Sequence, residues 1–204
     1  MKPHICKKRC FMKGCIQHKD NDRICRFSPW RAWMLDNGIR RLFQNPKNIV
    51  GPYVKEGMTV IDIGSGPGMF TLAMAAMIGN TGKIIAVDLQ QEMLDLVREK
   101  SEKQNMSSRI QLHKNQPGSI GISEKADFIL SFYMVHEVPD RDAFLREVHG
   151  LLKPGGKYLI VEPKFHVSRE AFEDTVEDAK KAGFRPVSFP KILGGRSALF
   201  TLAD

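Results

Sequence analysis

Beyond residue 25 the 204-residue chain contains no cysteine, because Cys6, Cys10, Cys15 and Cys25 account for all four. The body of the protein therefore cannot be stapled by disulfides and must bury a core of its own. Long apolar runs are missing too: no window approaches the roughly 18 consecutive apolar residues of a membrane span. The charged start lacks the apolar core of a signal peptide, so the expectation is a cytoplasmic protein without a transmembrane segment. Acidic residues are scarce at the front, where residues 1–55 hold 13 Lys or Arg against 3 Asp or Glu. The rest of the chain is nearly balanced, with 18 against 20. Such a basic arm suits nucleic acid, an anionic surface or an acidic substrate, or simply stays solvated.

The four cysteines crowd together with His4 and His18 in a segment without helical or strand periodicity. In a reducing compartment that composition favours a metal or free thiols over disulfides. The spacing C-x3-C-x4-C-x9-C departs from the paired C-x2-C of common zinc ribbons. Zinc held by four thiolates, or by three with a histidine, is the first reading. An iron–sulfur cluster on the same thiolates is the second.

From Ser28 the texture changes, and three regions follow: a basic Cys-rich arm over 1–27, a helical segment over 28–55 and one domain over 56–204. The stretch SPWRAWMLDNGIRRLFQNP sets apolar residues among arginines, as a short helix pair broken at Asn37 and Gly38 would. After it, strand and helix patterns alternate. Strands are expected at Met58 to Ile63, Lys83 to Asp88, Ile110 to His113, Asp127 to Phe132 and Lys157 to Val161. Helices are expected at Met69 to Ile78, Gln90 to Gln104, Pro139 to Leu152 and Ser168 to Ala182, with Lys153 to Gly156 as a stop. Two final β-type runs, Pro186 to Phe189 and Ala198 to Leu202, are joined by a short link with Gly194 and Gly195. That link predicts a hairpin and at least one antiparallel strand. The whole reads as an α/β fold, a seven-stranded open sheet covered by helices on both faces.

The segment VIDIGSGPG ends a strand and opens a helix, where a doubly wound sheet exposes main-chain amides. Gly64, Gly66 and Gly68 let the backbone turn and approach a ligand without a side chain in the way. Asp88 ends the next strand and is placed to accept hydrogen bonds from ribose hydroxyls. Asp62, just before the turn, would repel a pyrophosphate but attract a cationic amino group. The loop also lacks the G-x-G-x-x-G spacing of dinucleotide binders.

VIDIGSGPG, AVDLQQEML and HEVPDRDAFLREVHGLLKPGGKYLIVEP together resemble the class I S-adenosylmethionine-dependent methyltransferases, over Val60 to Asp204. The resemblance implies a Rossmann-like, mostly parallel sheet with a C-terminal antiparallel hairpin. It implies S-adenosylmethionine as cofactor, with Asp62 and the loop residues Gly64, Ser65, Gly66 and Gly68 on the methionine portion. Asp88 would hold the ribose, Leu89 would lie against the adenine, and Asn115 or Gln116 would cap its amino group, with Ser131 at the end of the fourth strand completing the set. The exit segment SFYMVHEV lacks the Asn or Asp followed by Pro-Pro and an aromatic residue that marks amino-group methylases of nucleic acid and protein. Tyr133 and His136 are its proton-handling side chains, a histidine being a base at neutral pH. Glu162, ahead of Pro163, Lys164 and Phe165, is a further candidate at the pocket edge, or equally a surface ion-pair partner.

A lid that excludes water suits a small-molecule acceptor that is nucleophilic in its own right, such as a thiol or a metalloid thiolate, because SFYMVHEV shows no certain base. Trp30, Arg40 and Tyr53 would line its pocket beneath a lid formed by residues 28–53. The alternatives are an RNA or protein methyltransferase that recognises its target through the basic arm, and a non-catalytic sensor of cofactor and metal.

Overall fold

A computed structural model describes residues 44–203. Helix α1 (Pro46–Val50) leads to β1 (Thr59–Ile63), α2 (Met69–Met77), β2 (Lys83–Asp88), α3 (Gln91–Lys103) and β3 (Ile110–Lys114). Next come β4 (Ala126–Phe132), a 3-10 turn at Val135–Glu137, α4 (Arg141–Leu151), β5 (Leu152–Pro163), α5 (Arg169–Lys181), β6 (Phe184–Ser188) and β7 (Gly195–Leu202). The sheet order is β3-β2-β1-β4-β5-β7-β6. Strand β7 runs antiparallel to both β5 and β6, whereas the other neighbours are parallel. Seven strands, the crossover helices and the terminal hairpin agree with the sequence.

Side-chain alternation along the parallel strands divides the interior into two cores. Ile61, Ile85, Ile129, Tyr158 and Ile160 face one side with Phe144, Leu145 and Val148 of α4 and Phe172 and Val176 of α5. Val60, Ile84, Phe128, Leu130, Leu159 and Val161 face the other with Phe70 and Met74 of α2. Val50, Val54 and Tyr53 pack into that second core, so the described end of the 28–55 segment is built into the domain.

The last two strands begin earlier than expected, at Phe184 and at Gly195, which was expected in the link, and two further boundaries differ from the sequence reading for identifiable reasons. Lys153 to Gly156 was expected to be a stop, yet β5 begins at Leu152. The proline and glycines form an irregularity inside the strand, where the β4 partner steps from Ala126↔Leu152 to Phe128↔Lys157. Helix α4 starts at Arg141 because Asp140 caps it, accepting the Ala143 N–H at 2.9 Å. Ser168 caps α5 as expected, accepting the Ala171 N–H at 3.1 Å.

Candidate active site

Parallel strands deliver their carboxyl ends to one edge of the sheet, and the chemistry-bearing side chains gather there. Asp62 lies in β1, 2% exposed, on the face toward α2, where the Thr71 hydroxyl donates to it at 2.6 Å. Burial is the largest influence on this carboxyl and pushes its pKa up to about 7, against the Thr71 bond, and the nearby Asp88 charge raises it further. The loop after β1 turns on Gly64, Gly66 and Gly68, all at positive φ. Gly68 is held close against α3, since a Cβ there would lie 3.0 Å from Val97. A Cβ on Gly66 would meet nothing within 4 Å, so its open side is free space. Lys100 of α3 fastens the loop by donating to the Pro67 carbonyl at 2.8 Å.

Asp88 joins this loop to the end of β2. One of its oxygens accepts the Gly66 N–H at 2.8 Å and the other the Gln90 N–H at 2.9 Å. Each oxygen retains a lone pair. Burial is the main cause of its raised pKa, partly offset by the Gln90, Gly66 and Leu89 amides. Leu89 is 37% exposed beside it. The buried Ser65 hydroxyl and the Asn115 side-chain oxygen have no hydrogen-bond partner among the described residues. Asn115 donates its amide N–H groups within its turn, to the Gln116 and Ser119 carbonyls, which leaves the oxygen as the open acceptor. Gln116 bridges to Ser119 in the same turn. Ser131 is fully buried, and its hydroxyl accepts from Tyr158 at 3.1 Å.

The segment leaving β4 carries the second group. Tyr133 holds φ +62°, an uncommon conformation for a tyrosine. Its hydroxyl accepts from the Gln44 side chain at 2.7 Å, and Gln44 also donates to the Leu193 carbonyl at 3.0 Å. His136 hydrogen-bonds through Nδ1 to Glu162 in β5, a carboxylate only 1% exposed whose other oxygen accepts the Val135 N–H at 2.9 Å. The His166 ring lies 4.9 Å from that of His136. Burial by itself would lower the His136 pKa, but the Glu162 bond and the charges of Glu162 and Glu137 outweigh it and the net direction is upward.

Asp62, Ser65, Asp88 and Leu89 thus meet at the glycine loop, with His136 and Tyr133 on the neighbouring strand exit. Tyr53 is elsewhere: its ring stacks on Phe128, near the amino end of β4, at 5.8 Å. Trp30, Arg40 and the cysteines Cys6, Cys10, Cys15 and Cys25 lie outside the described residues. Among the described residues no cluster of His, Cys, Asp or Glu could hold a metal ion, and no helix is long and apolar enough to cross a membrane. Thr71, Gln44 and His166 escaped the sequence reading. The spacing of Thr71 from Asp62, one strand end and one helical turn apart, carried a signal for the first, but the other two partnerships depend on tertiary folding alone.

The strand order and the glycine loop between β1 and α2 define a class I S-adenosylmethionine-dependent methyltransferase fold. The chain belongs to the family described as methyltransferase domain, which matches residues 54–192. It is 34% identical over 110 residues to a demethylmenaquinone methyltransferase of Lactobacillus johnsonii, covering 53% of this chain and 45% of that protein. It is 28% identical over 130 residues to the ubiquinone/menaquinone biosynthesis C-methyltransferase of Escherichia coli, covering 63% and 51%. The chain spans about half the length of these curated relatives. A crystal structure of an S-adenosylmethionine-dependent methyltransferase from Aquifex aeolicus superposes with a TM-score of 0.74 at 26% identity, covering 86% of this chain and all of that one.

Proposed function

We propose that this protein transfers a methyl group from S-adenosylmethionine to a small-molecule acceptor. The observation that carries the reading is the joint between Asp88 and Gly66, which ties a strand-end carboxylate to an open glycine turn beside buried Asp62. When bound, S-adenosylmethionine supplies an electrophilic methyl group on a sulfonium. The residues present fit that ligand. Asp62 would face a cationic amino group, and the turn at Gly64, Ser65, Gly66 and Gly68, whose N–H groups are held by Val87, Asp88 and Ser65 within the protein, offers the unpartnered Ser65 hydroxyl and open space at Gly66. Asp88 keeps lone pairs for ribose hydroxyls, exposed Leu89 offers an apolar face to adenine, and the open oxygen of Asn115 suits an exocyclic amino group, with Gln116 beside it. The hydroxyl of Ser131 accepts from Tyr158, so its own O–H is the part it would contribute to this set.

Tyr133 and His136 stand where the acceptor would meet the cofactor, and of the two His136 is the one held by a carboxylate. A thiol or metalloid is a small acceptor that such a site could take. The names of the relatives favour a second reading, methylation of a quinone-type ring carbon.

Asp88→Ala should weaken S-adenosylmethionine binding by roughly 1–3 kcal/mol, as expected for a lost hydrogen bond to a charged group. Asp88→Asn, which keeps one acceptor oxygen, should lose less. Titration calorimetry decides this. Wild-type affinity in a folded Asp88→Ala protein would remove Asp88 from the ribose site, and no binding by the wild type would end the methyltransferase reading.

A further inference from the structure

We infer that Glu162 is a positioning residue that fixes His136 as a base, and that the acceptor of this site carries an ionisable O–H or S–H proton. The inference rests on the methyl-transfer reading above. Glu162 is buried at the end of β5, and both of its oxygens are used on one short turn, Oε1 by the Val135 N–H and Oε2 by His136 Nδ1. A carboxylate accepting at Nδ1 keeps that nitrogen protonated, so in the neutral ring Nε2 is the lone-pair nitrogen. The same clamp fixes ring orientation, because the backbone and the ring of the turn are anchored to one rigid strand. This is the logic by which a buried carboxylate sets the tautomer of a histidine base.

The charged and titratable groups around the ring are few. Glu162 faces it from β5, His166 from the turn after β5 at 4.9 Å between rings, and Glu137 from its own turn, with Oε1 3.9 Å from Nε2. Asp88 acts on Glu137 from the end of β2. At 3.9 Å the Glu137 carboxylate does not hydrogen-bond to Nε2, which is the ring's open position among the described residues. The neighbouring wall is aromatic: Tyr133 packs against Phe132 at 4.3 Å and edge-on to Phe165 at 6.4 Å. Phe165 and Leu193 are exposed near this wall.

An acceptor that arrives already as an anion, such as a metalloid thiolate, leaves a clamped histidine idle. Phenols and thiols, with ordinary pKa values of about 10 and about 8.5, are mostly protonated at neutral pH and do need a base. The step balances as follows. The acceptor's O–H or S–H bond breaks and its proton goes to His136 Nε2. The electron pair left on the acceptor forms the bond to the methyl carbon while the carbon–sulfur bond of the sulfonium breaks, its pair returning to sulfur.

Nitrogen-15 NMR of the histidine rings in the free protein, together with pH profiles of transfer to 4-methylphenol and 2-phenylethanethiol, tests the inference. The two acceptors distinguish an oxygen from a sulfur nucleophile. In the wild type, His136 should be the Nδ1–H tautomer with a titration raised above that of an ordinary histidine. Glu162→Gln keeps the burial but loses the negative charge, so the titration should fall. The acidic limb of kcat should move to lower pH with it, and plateau kcat should drop about tenfold or more. Affinity for S-adenosylmethionine should stay within about twofold, because Glu162 is not in the proposed cofactor set. Glu162→Asp, which restores the charge, should recover the raised titration in part and serves if the Gln variant does not fold. An Nε2–H tautomer in the wild type, a pH limb unmoved in Glu162→Gln, or equal turnover of pyridine, which has no proton to lose, would overturn the inference. Loss of S-adenosylmethionine binding in the wild type would instead indict the methyl-transfer reading.

Discussion

Between pH 6 and pH 8 the affinity for S-adenosylmethionine should rise about tenfold, and in Asp62→Asn it should fall by at least a hundredfold and lose that slope. The reason is the buried carboxyl of Asp62, whose pKa stands at about 7. A cationic amino group binds the ionised form, whose fraction grows from roughly a tenth at pH 6 to roughly nine tenths at pH 8. The stability of the ligand-free protein should respond in the opposite sense. A carboxyl whose folded pKa lies above its unfolded value binds more protons when folded. Its contribution is therefore fully present below about pH 4 and is lost as pH rises toward about 7, by roughly 4 kcal/mol at most. Asp127 and Asp178, whose pKa values lie below the ordinary one because the Lys153 and the Lys181 and Arg141 partners outweigh burial, contribute with the other sign. The comparison that isolates Asp62 is thus wild type against Asp62→Asn at each pH. At pH 8 the ligand-free Asn variant should melt higher than the wild type while binding the cofactor far less. Thermal melts and calorimetry at pH 6, 7 and 8 check both halves, and a flat affinity profile in the wild type would remove the carboxylate from the amino-group site.

Such a trade of stability for binding is characteristic of functional positions, and it explains which parts of the molecule could be read in the sequence. The β1 run TVIDI breaks an apolar strand with one aspartate, and the place of Asp62 just before the glycine turn made it legible in the sequence. The central strands β1, β2 and β4 were legible because both of their faces are buried. Lys83–Asp88 coincides with its expected span, and β1, β3 and β4 differ at their ends by one residue. The start of β5 was not legible, since Lys153, Pro154, Gly155 and Gly156 have the composition of a helix stop and only the β4 partner draws them into the sheet. At the site, the glycine loop and its two aspartates form a contiguous pattern, whereas the partnership of His136 with Glu162 spans 26 residues and exists only because β4 and β5 are neighbours. Sequence spacing alone left Glu162 equally suited to a surface ion pair. Burial at 1% exposure removes that choice, because an ionised carboxylate inside the protein requires partners.

Gly64→Val should cost roughly 2–4 kcal/mol of stability and lower cofactor affinity and turnover together, each by a hundredfold or more. Gly64 holds φ +73°, where a β-branched residue is a steric outlier. Space is short as well as conformation: a Cβ at Gly64 would lie 2.9 Å from Met134 Cγ and 3.1 Å from its Cβ. Met134 sits between Tyr133 and the Val135–Glu137 turn, so pressure from the glycine loop is delivered to the segment that carries His136. The loop on β1 and the exit from β4 are therefore one packed unit, and displacement of either should move the other. Gly64→Ala isolates this coupling, because it adds only the Cβ. Met134→Ala removes the obstructing side chain beyond its own Cβ, so the double variant should regain part of the turnover that Gly64→Ala loses, although the strain at φ +73° stays. A double-mutant cycle on turnover and on thermal midpoint measures the two contributions separately. The expected result is a favourable interaction between the substitutions in turnover, with stability losses that remain close to the cost of the backbone conformation. Additive losses in turnover would mean that the glycine loop and the His136 segment act independently, and the contact between Gly64 and Met134 would then be packing without consequence for transfer.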